Sequence, residues 1–174
     1  MSQHFGPDNA RLTIRTGRKG AASKAGHDLL IEVRSWKGTL DLNAEPMLTL
    51  TADSRSCQVI EGTGGVKGLD DDDKANIAKT IDDEVLKGCA IEFRSSQVER
   101  RPDGTMSVTG ELELGGRRGP VTFELAARDG RLTGGATVKQ TEFGIKPYTA
   151  LFGALKVADE VQVAVDGELD QASL

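Results

Sequence analysis

The sequence predicts an all-β domain with one helix, its strands wrapped into a closed antiparallel barrel of about eight strands. Three observations predict it. Short segments of apolar–polar alternation recur along most of the chain, so each strand buries one face only. Turn signals such as Asp103–Gly104 and Asp129–Gly130 join neighbouring segments and make the connections hairpins. A single stretch, residues 69–88, changes to helical periodicity. A long antiparallel meander must close or stack on itself to hide its edges; closure is the first expectation and a two-sheet sandwich the second.

Composition narrows the classes. The chain has 174 residues, 37% of them hydrophobic and 28% charged, enough for one domain with a sizeable core. With a net charge of −5 and no run of Lys or Arg, it offers no footing for nucleic acid or an anionic membrane. No stretch approaches the ~20 apolar residues that span a bilayer. The opening MSQHFGPDNARL lacks the apolar centre of a signal peptide, so the cytoplasm is the expected location. Two cysteines, Cys57 and Cys89, make neither a disulfide framework nor a zinc site; they read as small buried hydrophobes. His4 and His27 lie far apart in the chain, and neither a metal nor a cofactor is expected.

Taken in order, residues 1–9 read as a loose start and residues 10–16 as a strand, with Leu12 and Ile14 on one face. Residues 17–26 form a glycine-punctuated turn; no helix follows it, so it cradles no phosphate. Residues 26–42 are the central stretch. Leu29, Ile31 and Val33 share one phase, but Trp36, Leu40 and Leu42 lie in the other, which requires a bulge or sharp bend near residues 34–36. His27 shares the inward phase of Leu29 and Ile31 and stands at the mouth of whatever the strand encloses. Residues 47–52 alternate, and residues 54–61 continue them as a partner or as the same strand bent.

The helix follows a glycine-rich connection. Four acids, residues 70–73, suit a helix start because carboxylates cap free N–H groups and oppose the positive end of the dipole. Ile77, Ile81 and Val85 make one apolar stripe, so the amphipathic helix is expected to cover one side or end of the barrel, and Gly88 suits the C-terminal cap. From Cys89 onward the chain is a meander. Ile91 and Phe93 point inward, then Met106, Val108, Leu112 and Leu114, then Val121, Phe123 and Leu125. Leu132, Ala136 and Val138 follow. Residues 142–155 form a less regular loop, residues 156–169 a final strand, and residues 170–174 a loose end.

A barrel of eight strands is either filled or holds one small ligand. Small residues at inward positions (Ala52, Gly110, Ala127, Gly134, Ala136) stand among Trp36, Phe93 and Phe123, and His27, Ser95, Gln97 and Gln140 share the inward phase. A greasy interior with sparse polar groups is the general description of a small-molecule pocket. The same alternation of small and large also fills a solid barrel.

Four segments occur in an order that resembles the YceI-like family, lipocalin-like proteins known for binding polyisoprenoids. They are SKAGHDLLIEVRSWKGTLDL; DDEVLKG with CAIEFRSSQV; VTGELELGGRRGPVTFEL; and QTEFGIKPYTALFGALKVADEVQVAVDGEL. The resemblance implies an extended lipocalin-like barrel with an apolar tunnel for a long isoprenoid, an isoprenoid quinone or a similar lipid. It implies binding and no catalysis. Leu29, Ile31, Phe93, Phe123 and Phe143 become expected lining residues, and His27 in the GH element a residue of the pocket mouth. Trp36, Ser95 and Gln140 join them as candidate ligand contacts through their inward phase. The chain departs from many members in carrying no export signal. A solid-barrel protein acting through its surface is the alternative, and edge-strand pairing leaves room for a homodimer.

Overall fold

A computed structural model describes residues 2–170. Fourteen strands are present among the described residues: β1 (Ser2–Phe5), β2 (Ala10–Arg15), β3 (Arg18–Lys19), β4 (His27–Val33), β5 (Trp36–Asp41), β6 (Met47–Ala52), β7 (Cys57–Gly64), β8 (Ile91–Arg100), β9 (Thr105–Leu114), β10 (Arg117–Arg128), β11 (Arg131–Lys139), β12 (Thr149–Ala150), β13 (Leu155–Val157) and β14 (Glu160–Glu168). Eleven of them make one strongly curled antiparallel sheet in the order β1-β5-β6-β8-β9-β10-β11-β14-β2-β4-β7. The other three make a small sheet, β12-β13-β3.

The strand count exceeds the expected eight because bends divide segments that read as continuous in sequence. The predicted bend near residues 34–36 separates β4 from β5. There the Arg34 N–H donates to the Ser56 carbonyl at 3.0 Å and the Asp53 N–H to the Ser35 carbonyl at 2.9 Å. The partner strand bends opposite, through a 3-10 turn at Ser54–Ser56 whose Arg55 N–H is capped by the Asp53 carboxylate at 2.9 Å. Val33 and Trp36, three residues apart, are consequently both buried.

Residues 2–5 are a strand, which corrects the expectation of a loose start. β1 pairs with β5 from Ser2↔Asp41 to Phe5↔Gly38, and Gln3 and Phe5 are buried. The run is too short for alternation to be visible, but its two inward residues have partners. The Gln3 carboxamide donates to the Asp170 carbonyl at 3.1 Å and accepts from the Asp170 N–H at 2.8 Å. Residues 171–174 lie outside the described residues. The expected final strand also divides: Val157 belongs to the small sheet, and β14 starts at Glu160.

The helix is α1 (Asp71–Thr80), continued by a π-helical turn at Ile81–Leu86. Its start is a full capping box. The Asp70 carboxylate accepts from the Asp73 N–H at 2.8 Å, and the Asp73 carboxylate accepts from the Asp70 N–H at 3.2 Å. Lys87 and Gly88, both left-handed, end it. The helix packs along β7, and no residue of α1 is fully buried.

Two clusters make the core. The larger joins Phe5, Leu12, Val33, Trp36, Leu40, Phe93, Val108, Leu125 and Leu132 inside the curled sheet. The smaller joins Leu86 of the helix end to Val138, Phe143 and Ile145. Leu40 and Val108 are wholly inaccessible, each side chain stabilising the fold by ~1.5–3 kcal/mol relative to exposure.

Candidate functional site

The clusters do not fill the interior. A cavity of about 590 Å³ lies inside the curled sheet, within the ~300–1,000 Å³ range of small-molecule sites. Its deep end is made by buried residues including Phe5, Leu12, Trp36, Leu125 and Leu132. One wall is the helix. Ile77, Ile81 and Val85, the stripe read from the sequence, line this void and are only half-buried; Ile81 and Val85 also pack against the smaller core cluster, whereas Ile77 belongs to neither cluster. The outer end is rimmed by Ala25, His27, Asn76, Tyr148 and Leu155.

The lining is almost entirely hydrocarbon, and the structure sorts the sequence-predicted residues into two groups. His27, Leu29, Ile31, Trp36, Phe93, Phe123 and Gln140 all border the cavity. Ser95 and Phe143 do not. β8 carries a bulge between Ser95 and Gln97, so the phase counted from Phe93 fails beyond it. Val98 turns inward, Gln97 becomes exposed, and the Ser95 hydroxyl accepts from the Leu48 N–H at 2.8 Å. Phe143, 1% exposed, is packed in the smaller core cluster, its ring against Gly119.

His27 and Gln140, two of the polar residues of the lining, are tied down by the fold. His27 donates from Nε2 to the Lys67 carbonyl at 2.7 Å, with its ring beside Gly65, and so pins the glycine-rich connection to the mouth. Asp28 points away from that ring and accepts from Arg18 Nε at 3.0 Å. Gln140 donates to the Ala158 carbonyl at 3.0 Å. Trp36 Nε1 is buried with no hydrogen-bond partner among the described residues, an uncompensated donor costing ~1–3 kcal/mol.

Not every small inward residue leaves space. Phe93 and Phe123 pack tilted, with centroids 5.3 Å apart at 59°. A Cβ on Gly110 would stand 2.6 Å from the Phe93 ring, so that ring occupies the space above the glycine. Leu125 covers Gly134 in the same way, at 2.8 Å. Ala52 and Ala136 border the void.

Cys57 also borders it. Burial, aided by the carboxylates of Asp82 and Asp53, pushes its thiol up to about 11 from 9.0. Both cysteines are free thiols. The amphipathic helix was expected to cover one side or end of the barrel, but sequence reasoning did not single out its stripe residues, Cys57, or the loop residues Tyr148 and Leu155 as lining. The stripe's apolar period was visible, but what it faces depends on where the helix docks.

Relatives agree with this architecture. No curated protein matches the chain. Among solved structures, BcnA of Burkholderia cenocepacia superposes with a TM-score of 0.62 at 14% identity, over 90% of this chain and 94% of its own. A Campylobacter jejuni YCEI protein gives a TM-score of 0.55 at 14% identity, over 81% of this chain and 84% of its own. The family model for the YceI-like domain matches residues 32–169, most of the sheet and the whole helical wall of the cavity. The chain therefore belongs to the YceI-like family.

Proposed function

We propose that the protein binds and carries, or sequesters, a long apolar amphiphile inside the sheet, without catalysing a reaction on it. A polyisoprenoid, an isoprenoid quinone or a lipid of similar length is the class of ligand. The observation that carries this reading is the cavity of about 590 Å³ with its nearly unbroken hydrocarbon lining. Such a surface gains little from a polar solute and much from each buried methylene, ~0.8 kcal/mol apiece. Two of the polar groups at its border, His27 and Gln140, are already hydrogen-bonded to backbone carbonyls, which favours a structural part for them over chemistry.

The reading includes closure of the container. Joined across their bends, β1 with β2, β4 with β5 and β6 with β7 count as three staves. β8, β9, β10, β11 and β14 complete eight, each with a neighbour on both sides, since β1 pairs with β5 and β2 with β4. The helix covers the outer edge of β7.

The test is extraction of the natively purified protein followed by mass spectrometry, with Ala136→Phe as the blocked control. Ala136 sits on the cavity wall, and a benzyl group there fills the void without disturbing the ladder. A lipid that co-purifies with the wild type and is absent from Ala136→Phe is the expected result. An apo protein that also fails to take up an added isoprenoid quinone would refute the proposal.

A further inference from the structure

Five basic residues fall in two stretches far apart in sequence, Arg18, Lys19 and Lys24 in residues 17–25 and Lys146 and Lys156 in residues 144–158. Neither stretch contains an acid, although the chain as a whole carries −5. The small sheet and its flanking turn bring Arg18, Lys19, Lys24 and Lys156 together, and Lys146 lies just before β12 in the chain. β3 supplies Arg18 and Lys19, β13 supplies Lys156, and the 3-10 turn at Ser23–Ala25 holds Lys24 against the same hairpin, with the Ala22 N–H donating to the Ala154 carbonyl at 2.9 Å. Lys19 and Lys156 are direct cross-strand partners, an arrangement of like charges that destabilises a sheet. Arg18 is paired with Asp28; the four lysines are exposed and form no ion pair among the described residues. The acid that feels Lys19, Asp159, is already held by the Thr141 hydroxyl and N–H.

At the tip of the same hairpin Phe152 is fully exposed, in a left-handed conformation that a bulky residue rarely adopts. At its base Tyr148, Leu155 and Val157 line the outer end of the cavity. An exposed aromatic ring on a hairpin that also carries exposed lysines is the pattern by which a peripheral protein seats itself in a lipid interface. An acidic protein partner would satisfy the lysines but leave the ring uncovered, and the adjoining cavity opens onto hydrocarbon.

We infer that the β12–β13–β3 sheet docks the protein on an anionic lipid bilayer, with Phe152 inserted among the acyl chains and Lys19, Lys24, Lys146 and Lys156 on the headgroups. The mouth of the cavity then faces the layer from which a long apolar molecule is drawn or to which it is returned. This part rests on the ligand reading above; the docking itself does not.

The experiment is co-sedimentation of the full-length protein with vesicles of phosphatidylcholine alone and of phosphatidylcholine with phosphatidylglycerol, at low and high salt. Binding to the anionic vesicles that falls with salt is expected. Phe152→Asn, a residue that tolerates the left-handed backbone, should weaken it at least fivefold. Lys19→Glu should weaken it about fivefold or more while keeping or raising the melting temperature, since it turns a like-charge cross-strand pair into an opposite-charge one. Equal affinity for both vesicle types, no binding to either, or binding indifferent to both substitutions would overturn the inference. Lipid content of the cavity is read separately. A protein that carries lipid but ignores anionic vesicles sinks the docking alone, and one that docks but never carries lipid sinks the carrier reading alone.

Discussion

Cys57 shows how one side chain reports on its surroundings. The fold favours its neutral thiol, because burial and the nearby carboxylates of Asp82 and Asp53 penalise the thiolate. At pH 8 the thiolate fraction of a group at about 11 is about 100-fold below that of one at 9.0, so alkylation by iodoacetamide should slow by about that factor relative to the chain in denaturant. Linkage gives the sign for stability. The raised value contributes stability that is complete below pH 9 and is lost as pH climbs towards 11, because there the unfolded chain releases the proton first. Urea midpoints measured from pH 8 to pH 11 should fall more steeply in the wild type than in Cys57→Ala. Among the inward glycines, Gly134 has φ +155 and no room, a Cβ there standing 2.3 Å from the Glu124 carbonyl oxygen. Gly134→Leu should therefore cost ~3 kcal/mol or more, whereas Ala136→Phe two residues on should stay folded; thermal melts of both separate strain from cavity filling.

The helix carries its own predictions. Loss of the capping box in Asp70→Ala should cost ~1 kcal/mol by urea denaturation, with Asp70→Asn retaining most of it. Its inward stripe behaves unlike a core. Ile77 faces the void and belongs to neither core cluster, so Ile77→Ala should cost nearer ~1 kcal/mol than the ~2–5 kcal/mol of a packed site, whereas Leu40→Ala, at a wholly buried position, should fall within that range. A similar cost at the two sites would mean that the helix packs against filled space. The bulge in β8 acts at this scale too. One additional residue near Ser96 turns Val98 into the core and Gln97 to solvent, so a strand whose first half reads correctly from Phe93 is misread in its second half.

At the scale of the whole molecule the interior is packed in part and hollow in part, and the difference lies in which small residues a neighbour reaches. Phe93 covers Gly110 and Leu125 covers Gly134, while Ala52 and Ala136 stay open. Legible in the chain were the strand-rich class, the capped helix with its apolar stripe, the bend between Val33 and Trp36, and the inward phase of His27, Leu29, Ile31, Phe93 and Phe123, which border the cavity. These follow from local rules: alternation of period 2, helical spacing, and carboxylates at free N–H groups act within a few residues. Long-range packing set residues 2–5 at the sheet edge, took Ser95 and Phe143 out of the lining, and brought Cys57, Tyr148 and Leu155 into it. It also gathered lysines scattered along an acidic chain onto one small sheet that carries Phe152, where the nearby acids Asp28 and Asp159 are already engaged. Those outcomes depend on groups far apart in sequence meeting in space, and no local period records which distant neighbour a side chain will meet.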